Sequence, residues 1–305
     1  MEAMTRSYLD AAREGKNDGW RYLVGLIVFP SIFVIGLAIA LTLGLLLLGV
    51  RDLEELRSPG LKQYMESWPT WVAYTLFAIT NLSILAGLVI AIEKLHQRSL
   101  HSVVDPHAPF CFRRLLTAFG LWFALACGNV LLNYLLYPNR FTVTFDPSQW
   151  FFNLPFVTIA ILTGVTTSEI ARGYALQGLG LITRQPVLLV ILSALLASFR
   201  GFDVQRPYLS LGEYILNAGL AAFILKSHTL ELALGIQIAR GAVSMVAQIK
   251  LPDSAGSSLA LPSVFTANLD GYDFSAIASL AVRLAIFYAV FFRTQAPTSS
   301  KNAQE

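Results

Sequence analysis

Long apolar runs separated by short polar connectors dominate the chain. Tyr22 to Val50 is a stretch of 29 residues without one charge. A sliding window of about 19 residues places apolar spans near 22–50, 70–92, 114–136, 150–183, 187–199, 208–225, 230–249 and 274–292. Because about 20 apolar residues in a helix cross a bilayer, the pattern predicts an all-α polytopic integral membrane protein of about eight transmembrane helices. The first run is too long for a signal-peptide core and ends at Val50-Arg51 without a small-residue cleavage pattern, so it is expected to be retained. The span at 187–199 is short and bounded by Pro186 and Arg200, which predicts a partial or broken helix there; the topology depends on it.

Composition agrees with this pattern. Of 305 residues, 55% are hydrophobic and only 13% charged, well outside the usual soluble balance. Residues 1–21 read as a cytoplasmic N-terminal segment, 22–293 as one membrane domain, and 294–305 as a polar, disordered tail. The Ser-, Gly- and Pro-rich stretch from Leu251 to Tyr272 reads as a loop outside the membrane. With the N-terminus cytoplasmic and eight crossings, the Lys and Arg residues outside the spans divide 12 to 7 in favour of the cytoplasmic side, as the positive-inside rule requires. A net charge of +3 with scattered carriers excludes nucleic acid as a partner; membrane lipids are the expected surroundings. Trp20, Tyr22, Trp68, Trp71 and Trp150 mostly flank spans, as an interfacial belt would. Cys111 and Cys127 suggest neither a disulfide framework nor a metal pattern.

Charged side chains inside apolar spans are expensive, and each is a functional candidate. Five qualify: Glu169 and Arg172 on the fourth span, Glu213 on the sixth, Arg240 on the seventh and Arg283 on the eighth. Glu169 and Arg172 share a helix face, which equally predicts a self-neutralising pair with Arg172 snorkelling toward the headgroups. Glu231 stands at a helix start, an ordinary place for it.

The segment Thr166-Thr-Ser-Glu-Ile-Ala-Arg-Gly-Tyr-Ala-Leu-Gln-Gly-Leu-Gly-Leu-Ile-Thr-Arg-Gln-Pro186 resembles the first signature of the CPBP intramembrane protease family, the CAAX-protease and bacteriocin-processing group. Arg172-Gly173-Tyr174 and Leu176-Gln177-Gly178-Leu179 fit that signature. Its paired glutamates fall on Thr167 and Ser168, or with a short deletion on Ser168 and Glu169. In the second signature, Leu195-Leu-Ala-Ser-Phe-Arg-Gly201 places Leu196 at the family's Phe and Arg200 at its His. In the third, Leu232-Ala-Leu-Gly-Ile-Gln-Ile-Ala-Arg-Gly241 places Gln237 at the His and Gly241 at the Asn. The resemblance is strongest over 110–250. It implies the family's helix bundle, a bacterial inner membrane and, in active members, metal-dependent peptide cleavage in or near the bilayer.

Water must be made nucleophilic for such chemistry, by a carboxylate base, a metal, or both. Arg200 and Gln237 remove two imidazoles, and a guanidinium cannot deprotonate to become a ligand. Glu169, Arg172, Arg200 and Arg240 would together carry +2, a sum that repels a divalent cation and suits an anion such as a lipid phosphate or peptide carboxylate. The expectation is therefore a catalytically inactive relative of the family. It would hold no cofactor and bind a membrane protein or peptide, with Arg200, Glu213 and Arg240 as binding residues. The alternative is an active peptidase using a rearranged carboxylate site at Glu169 and Glu213, with zinc or another divalent metal.

Other candidates are weaker. His96, His101 and His107 match no closed zinc spacing and read as surface histidines; His228 reads as an interfacial loop residue beside a helix cap. Ser168, Ser193 and Ser198 could serve as hydroxyl nucleophiles, but no His in an apolar span can activate them. No nucleotide-binding signature or visible repeat of the transporter type is present.

Overall fold

The computed structural model describes residues 8–47, 68–106, 108–198, 207–250, 263–268 and 274–293. Among these, eight helices longer than ten residues account for most of the chain, and the class is all-α with one small sheet. They are α1 (Gly19–Leu47), α2 (Thr70–Ile90), α3 (Phe112–Leu136), α4 (Pro147–Ile182), α5 (Pro186–Ser198), α6 (Pro207–Ser227), α7 (Glu231–Val246) and α8 (Phe274–Tyr288). Among the described residues, four stretches are long and apolar enough to cross a membrane: Thr70–Leu95, Phe112–Leu136, Pro147–Ile182 and Ala276–Arg293. Helix α5 has 13 described residues, about 20 Å at 1.5 Å per residue, and residues 199–206 after it lie outside the described residues.

The 36-residue helix α4 organises the bundle. Asp146 caps its N-terminus by accepting from the Ser148 and Gln149 amides, and those bonds, with the Ser148 hydroxyl foremost, hold the carboxyl below its usual range. Toward its N-terminal end α4 packs on α2, where Val157 and Ala160 meet Tyr74 and Ala78. There the Thr167 hydroxyl donates to the Asn81 carbonyl at 3.1 Å. Its C-terminal half belongs to the main core with α3, α6, α7 and α8, centred on Trp122, Leu176, Leu220, Ile224, Ile236 and Phe287.

Three short strands gather at one end: β1 (Phe141–Val143), β2 (Ala247–Lys250) and β3 (Phe265–Asn268), in the order β1-β3-β2. Strand β3 runs antiparallel to β1, with Phe141 opposite Ala267, and parallel to β2, with Ala247 opposite Phe265. Two sequence expectations change here. The seventh span does not stay helical to residue 249 but turns into β2, and the polar stretch after Leu251 carries β3. Residues 251–262 and the tail from 294 lie outside the described residues.

The other end is closed by the chain's own beginning. Tyr8–Glu14 forms a 3-10 segment lying against the C-terminal half of α4, with Tyr8, Leu9, Ala11 and Ala12 buried. Residues 1–21 were expected to be a polar cytoplasmic segment; part of them is core.

Candidate functional site

Helical periodicity puts Glu169, Arg172, Gly173, Leu176, Gln177 and Gly180 on one buried stripe of α4. The first two begin a polar network. The Arg172 guanidinium donates through Nε to Glu169 Oε2 at 3.0 Å and through Nη2 to Glu169 Oε1 at 3.2 Å. It also reaches α6, donating to the Asn217 side-chain oxygen at 2.8 Å and its carbonyl at 3.4 Å. Asn217 in turn donates to the Ser198 hydroxyl at the end of α5 at 3.0 Å. From α7, Gln237 donates to Glu169 Oε1 at 3.3 Å and accepts from Arg240 at 3.0 Å, and Arg240 reaches Glu213 of α6 at 2.5 Å.

Four helices thus converge on one chain of contacts, running Ser198, Asn217, Arg172, Glu169, Gln237, Arg240, Glu213. Arg172 lies ten residues from the C-terminus of α4, about 15 Å along the axis. Burial divides the network: the Glu169 and Arg172 side chains are 0% and 4% exposed, whereas Arg240 and Glu213 are 36% and 46% exposed. Glu169–Arg172 is a locked interior pair, and Arg240–Glu213 is its open edge.

Several expectations are corrected by this geometry. Arg172 does not snorkel; it is buried and held by Glu169 and Asn217. The +2 sum counted Arg200, which lies outside the described residues; among the described residues Glu213 joins the cluster, so that two glutamates meet two arginines. Ser168 turns outward, its hydroxyl bonded back to the Val165 carbonyl, away from the network. Leu196 is exposed. A side chain at Gly241 would press on Ile161, which places that position against α4. Arg283, singled out on the eighth span, lies outside the network, its guanidinium 5.6 Å from the centre of the Trp122 ring. Ser193 is buried on α5. Glu231 is more than an ordinary helix start: it is fully buried, accepting from Arg114 Nη1 at 2.9 Å and from the Cys111 amide.

Asn217 and Ser198 were missed as network members because a search for charges passes over neutral polar groups. Asn217 stands four residues after Glu213 in an otherwise apolar helix, and that spacing is the signal that finds it.

The donor set does not suit a divalent metal. Among the described residues the groups that converge are two carboxylates, each paired with an arginine, two amides, a hydroxyl and two guanidiniums, and the arginines are cations that cannot act as ligands. Among the described residues no three His, Cys, Asp or Glu side chains cluster.

The rest of the Arg-Gly-Tyr segment has a different use. A Cβ on Gly173 would meet the Tyr8 hydroxyl at 2.5 Å, and one on Gly180 would meet Leu9 at 2.9 Å. The Tyr174 hydroxyl bonds His96 Nε2 at 2.7 Å. Gln177 donates to the Ser102 carbonyl at 2.7 Å and the Tyr8 carbonyl at 3.3 Å and accepts from Arg98. Past Arg172, the motif is a cradle for the N-terminal segment and the 96–105 connector. His96, expected at the surface, is fully buried; His101 and His228 are exposed, and His107 lies outside the described residues.

No family model matches the chain, and no solved structure matches it. The chain is similar to the uncharacterized protein YyaK of Bacillus subtilis (strain 168), with 24% identity over 285 residues that cover 89% of this chain and 91% of the relative.

Proposed function

We propose that this chain is an integral membrane protein of the bacterial inner membrane, with eight helices in a CPBP-like bundle and a cytoplasmic N-terminus. Its former hydrolytic centre has become a closed polar network, and the protein works by binding a membrane partner or peptide. The 29 helical residues of α1 give about 43 Å, ample for a first crossing beside the four long apolar stretches.

One observation carries the loss of hydrolysis: both oxygens of Glu169, the buried carboxylate at the family-like position, are bonded to Arg172 or Gln237. A general base must present an oxygen within hydrogen-bond reach of its water. Glu169 presents its oxygens to a guanidinium and an amide. Arg240 and Glu213 offer the partner an exposed charged edge, and the pair is coupled to the interior through Gln237.

Elemental analysis tests this reading. Protein purified after exposure to zinc and manganese is expected to hold well under 0.1 equivalent of either, unchanged in Glu169→Gln. Near-stoichiometric metal that disappears in Glu169→Gln and Glu169→Ala would overturn it.

A further inference from the structure

We propose that residues 8–16 form a detachable strap over the end of the Glu169 network, latched at its start by His228 and loosened when that imidazole takes up a proton. Its release does not depend on whether the network hydrolyses anything.

The strap does not hold itself. A seven-residue 3-10 segment has too few internal bonds to persist alone, so the groove must supply its order. Gly173 and Gly180 make room for Tyr8 and Leu9, Gln177 bonds the Tyr8 carbonyl, and the Tyr8 hydroxyl donates to the Val103 carbonyl at 2.5 Å. Tyr8 covers Gly173, one helical turn from Glu169, and burial foremost pushes its phenol far above the usual range, with the Glu169 charge contributing. Lifting the strap uncovers the stripe of α4 that leads to the Glu169–Arg172 pair.

A histidine stands at each end, and the one at the start is the latch. At the start, the Tyr8 amide donates to His228 Nδ1 at 3.2 Å, an arrangement that requires this nitrogen to be unprotonated. His228 is exposed and sits at φ 61° just past the end of α6, where its own amide bonds the Ile224 carbonyl at 2.8 Å. Protonation puts two donors face to face and breaks the latch. At the far end, the Lys16 amide donates to the His96 carbonyl at 2.8 Å, and His96 Nδ1 returns a bond to the Lys16 carbonyl at 3.0 Å. Nε2 bonds the Tyr174 hydroxyl at 2.7 Å, and because a hydroxyl can accept as well as donate, these two bonds hold the ring whether or not it is protonated. Burial foremost, with Arg98 and Arg21 adding repulsion against the Lys16 backbone bond, holds the His96 pKa below its ordinary value.

The elements meeting at these rings bring charged and titratable groups. The strap brings Tyr8, Asp10, Arg13, Glu14 and Lys16. The 96–105 connector brings Arg98, His101 and Asp105, the turn before it Glu93 and Lys94, the start of α1 Asp18 and Arg21, α4 Glu169, Arg172 and Tyr174, and the stretch after α4 Arg184. The turn around His228 brings Lys226 and Glu231. Asp10 is paired with Arg184 at 2.9 Å in a surface contact.

The sign follows from linkage. A histidine kept neutral when docked supports docking above its free value of about 6.5 and withdraws that support as pH falls through it. Between pH 7.5 and 5.5, one such imidazole raises the open-to-docked ratio by at most about tenfold.

Spin labels at Arg13→Cys and Ala108→Cys, both exposed positions, in a chain with Cys111 and Cys127 replaced by serine, report the strap directly by pulsed electron resonance in nanodiscs. One short, narrow distance is expected at pH 7.5. At pH 5.5 a longer, broad population is expected, its ratio to the docked one raised by up to about tenfold. His228→Gln is expected to remove the rise, leaving the same distribution at both values; His228→Asn serves if that variant does not purify as a monodisperse protein. Identical distributions at both pH values in the parent, or variants that open as the parent does, would overturn the proposal.

Discussion

Glu169→Ala is expected to lower the unfolding free energy by about 3–5 kcal/mol, because it leaves the Arg172 charge buried with only Asn217 and no counter-charge. Glu169→Leu combined with Arg172→Met keeps the volume and removes both charges, so it should recover most of that loss, since apolar replacement of a whole buried pair is often neutral or better. Gln237→Leu removes one 3.3 Å bond to a carboxylate that Arg172 still holds, and should cost only about 1–2 kcal/mol. Detergent-to-SDS titration followed by Trp122 fluorescence measures all three. A Glu169→Ala protein as stable as the parent, or a double variant worse than the single, would mean that the pair is not what ties α4 to α6 and α7.

The second large effect concerns how α7 is seated. A Cβ at Gly235 would lie 2.5 Å from the Leu115 carbonyl oxygen, 2.8 Å from Ala118 Cβ and 2.9 Å from the Phe119 amide nitrogen. None of these can swing away, because they are backbone or the first carbon of a side chain. Gly235→Ala must therefore push α3 and α7 apart, at about 3 kcal/mol or more, and displace Gln237 two residues on. Two controls fix the scale. Gly241→Ala meets Ile161 side-chain atoms that can turn and should cost about 1 kcal/mol. Gly120→Ala meets nothing within 4 Å and should gain about 0.5–1 kcal/mol from helix propensity. The same titration reads the order; equal losses at Gly235 and Gly241 would contradict the close approach of α3 and α7.

Helices were legible because hydrophobicity alone positions them: the apolar span expected at 114–136 is Phe112–Leu136, and that at 150–183 is Pro147–Ile182. The seventh span was overextended because Ala247 and Ile249 are apolar, while the partner that makes them strand, Phe265–Ala267, lies in a polar stretch that no window connects to them. The strap was invisible for a related reason. Tyr8-Leu-Asp-Ala-Ala-Arg-Glu14 is polar on average, too short for a span, and buries Tyr8, Leu9, Ala11 and Ala12 only because α4 offers Gly173 and Gly180 opposite.

At the site, Glu169, Arg172, Glu213, Arg240 and Gln237 stood out as costly or displaced residues in apolar helices, and the structure brings all five into one network. What spacing could not give was depth and partner choice. An i, i+3 pair fixes a shared face, but whether Arg172 reaches headgroups or stays inside depends on Asn217 of a helix 45 residues away. His96 was placed at the surface because its neighbours are polar; the structure closes Lys16 and Tyr174 around it.

A cleavage assay bears most directly on the closed network. The purified full-length protein, in nanodiscs with and without added zinc or manganese, is incubated with membrane-anchored peptides, prenylated ones included, and the products are followed by mass spectrometry. No product above the protein-free control is predicted under any metal condition. Time-dependent cleavage that is lost in Glu169→Gln would contradict it, and would mean that Glu169 leaves Arg172 and Gln237 to meet a water.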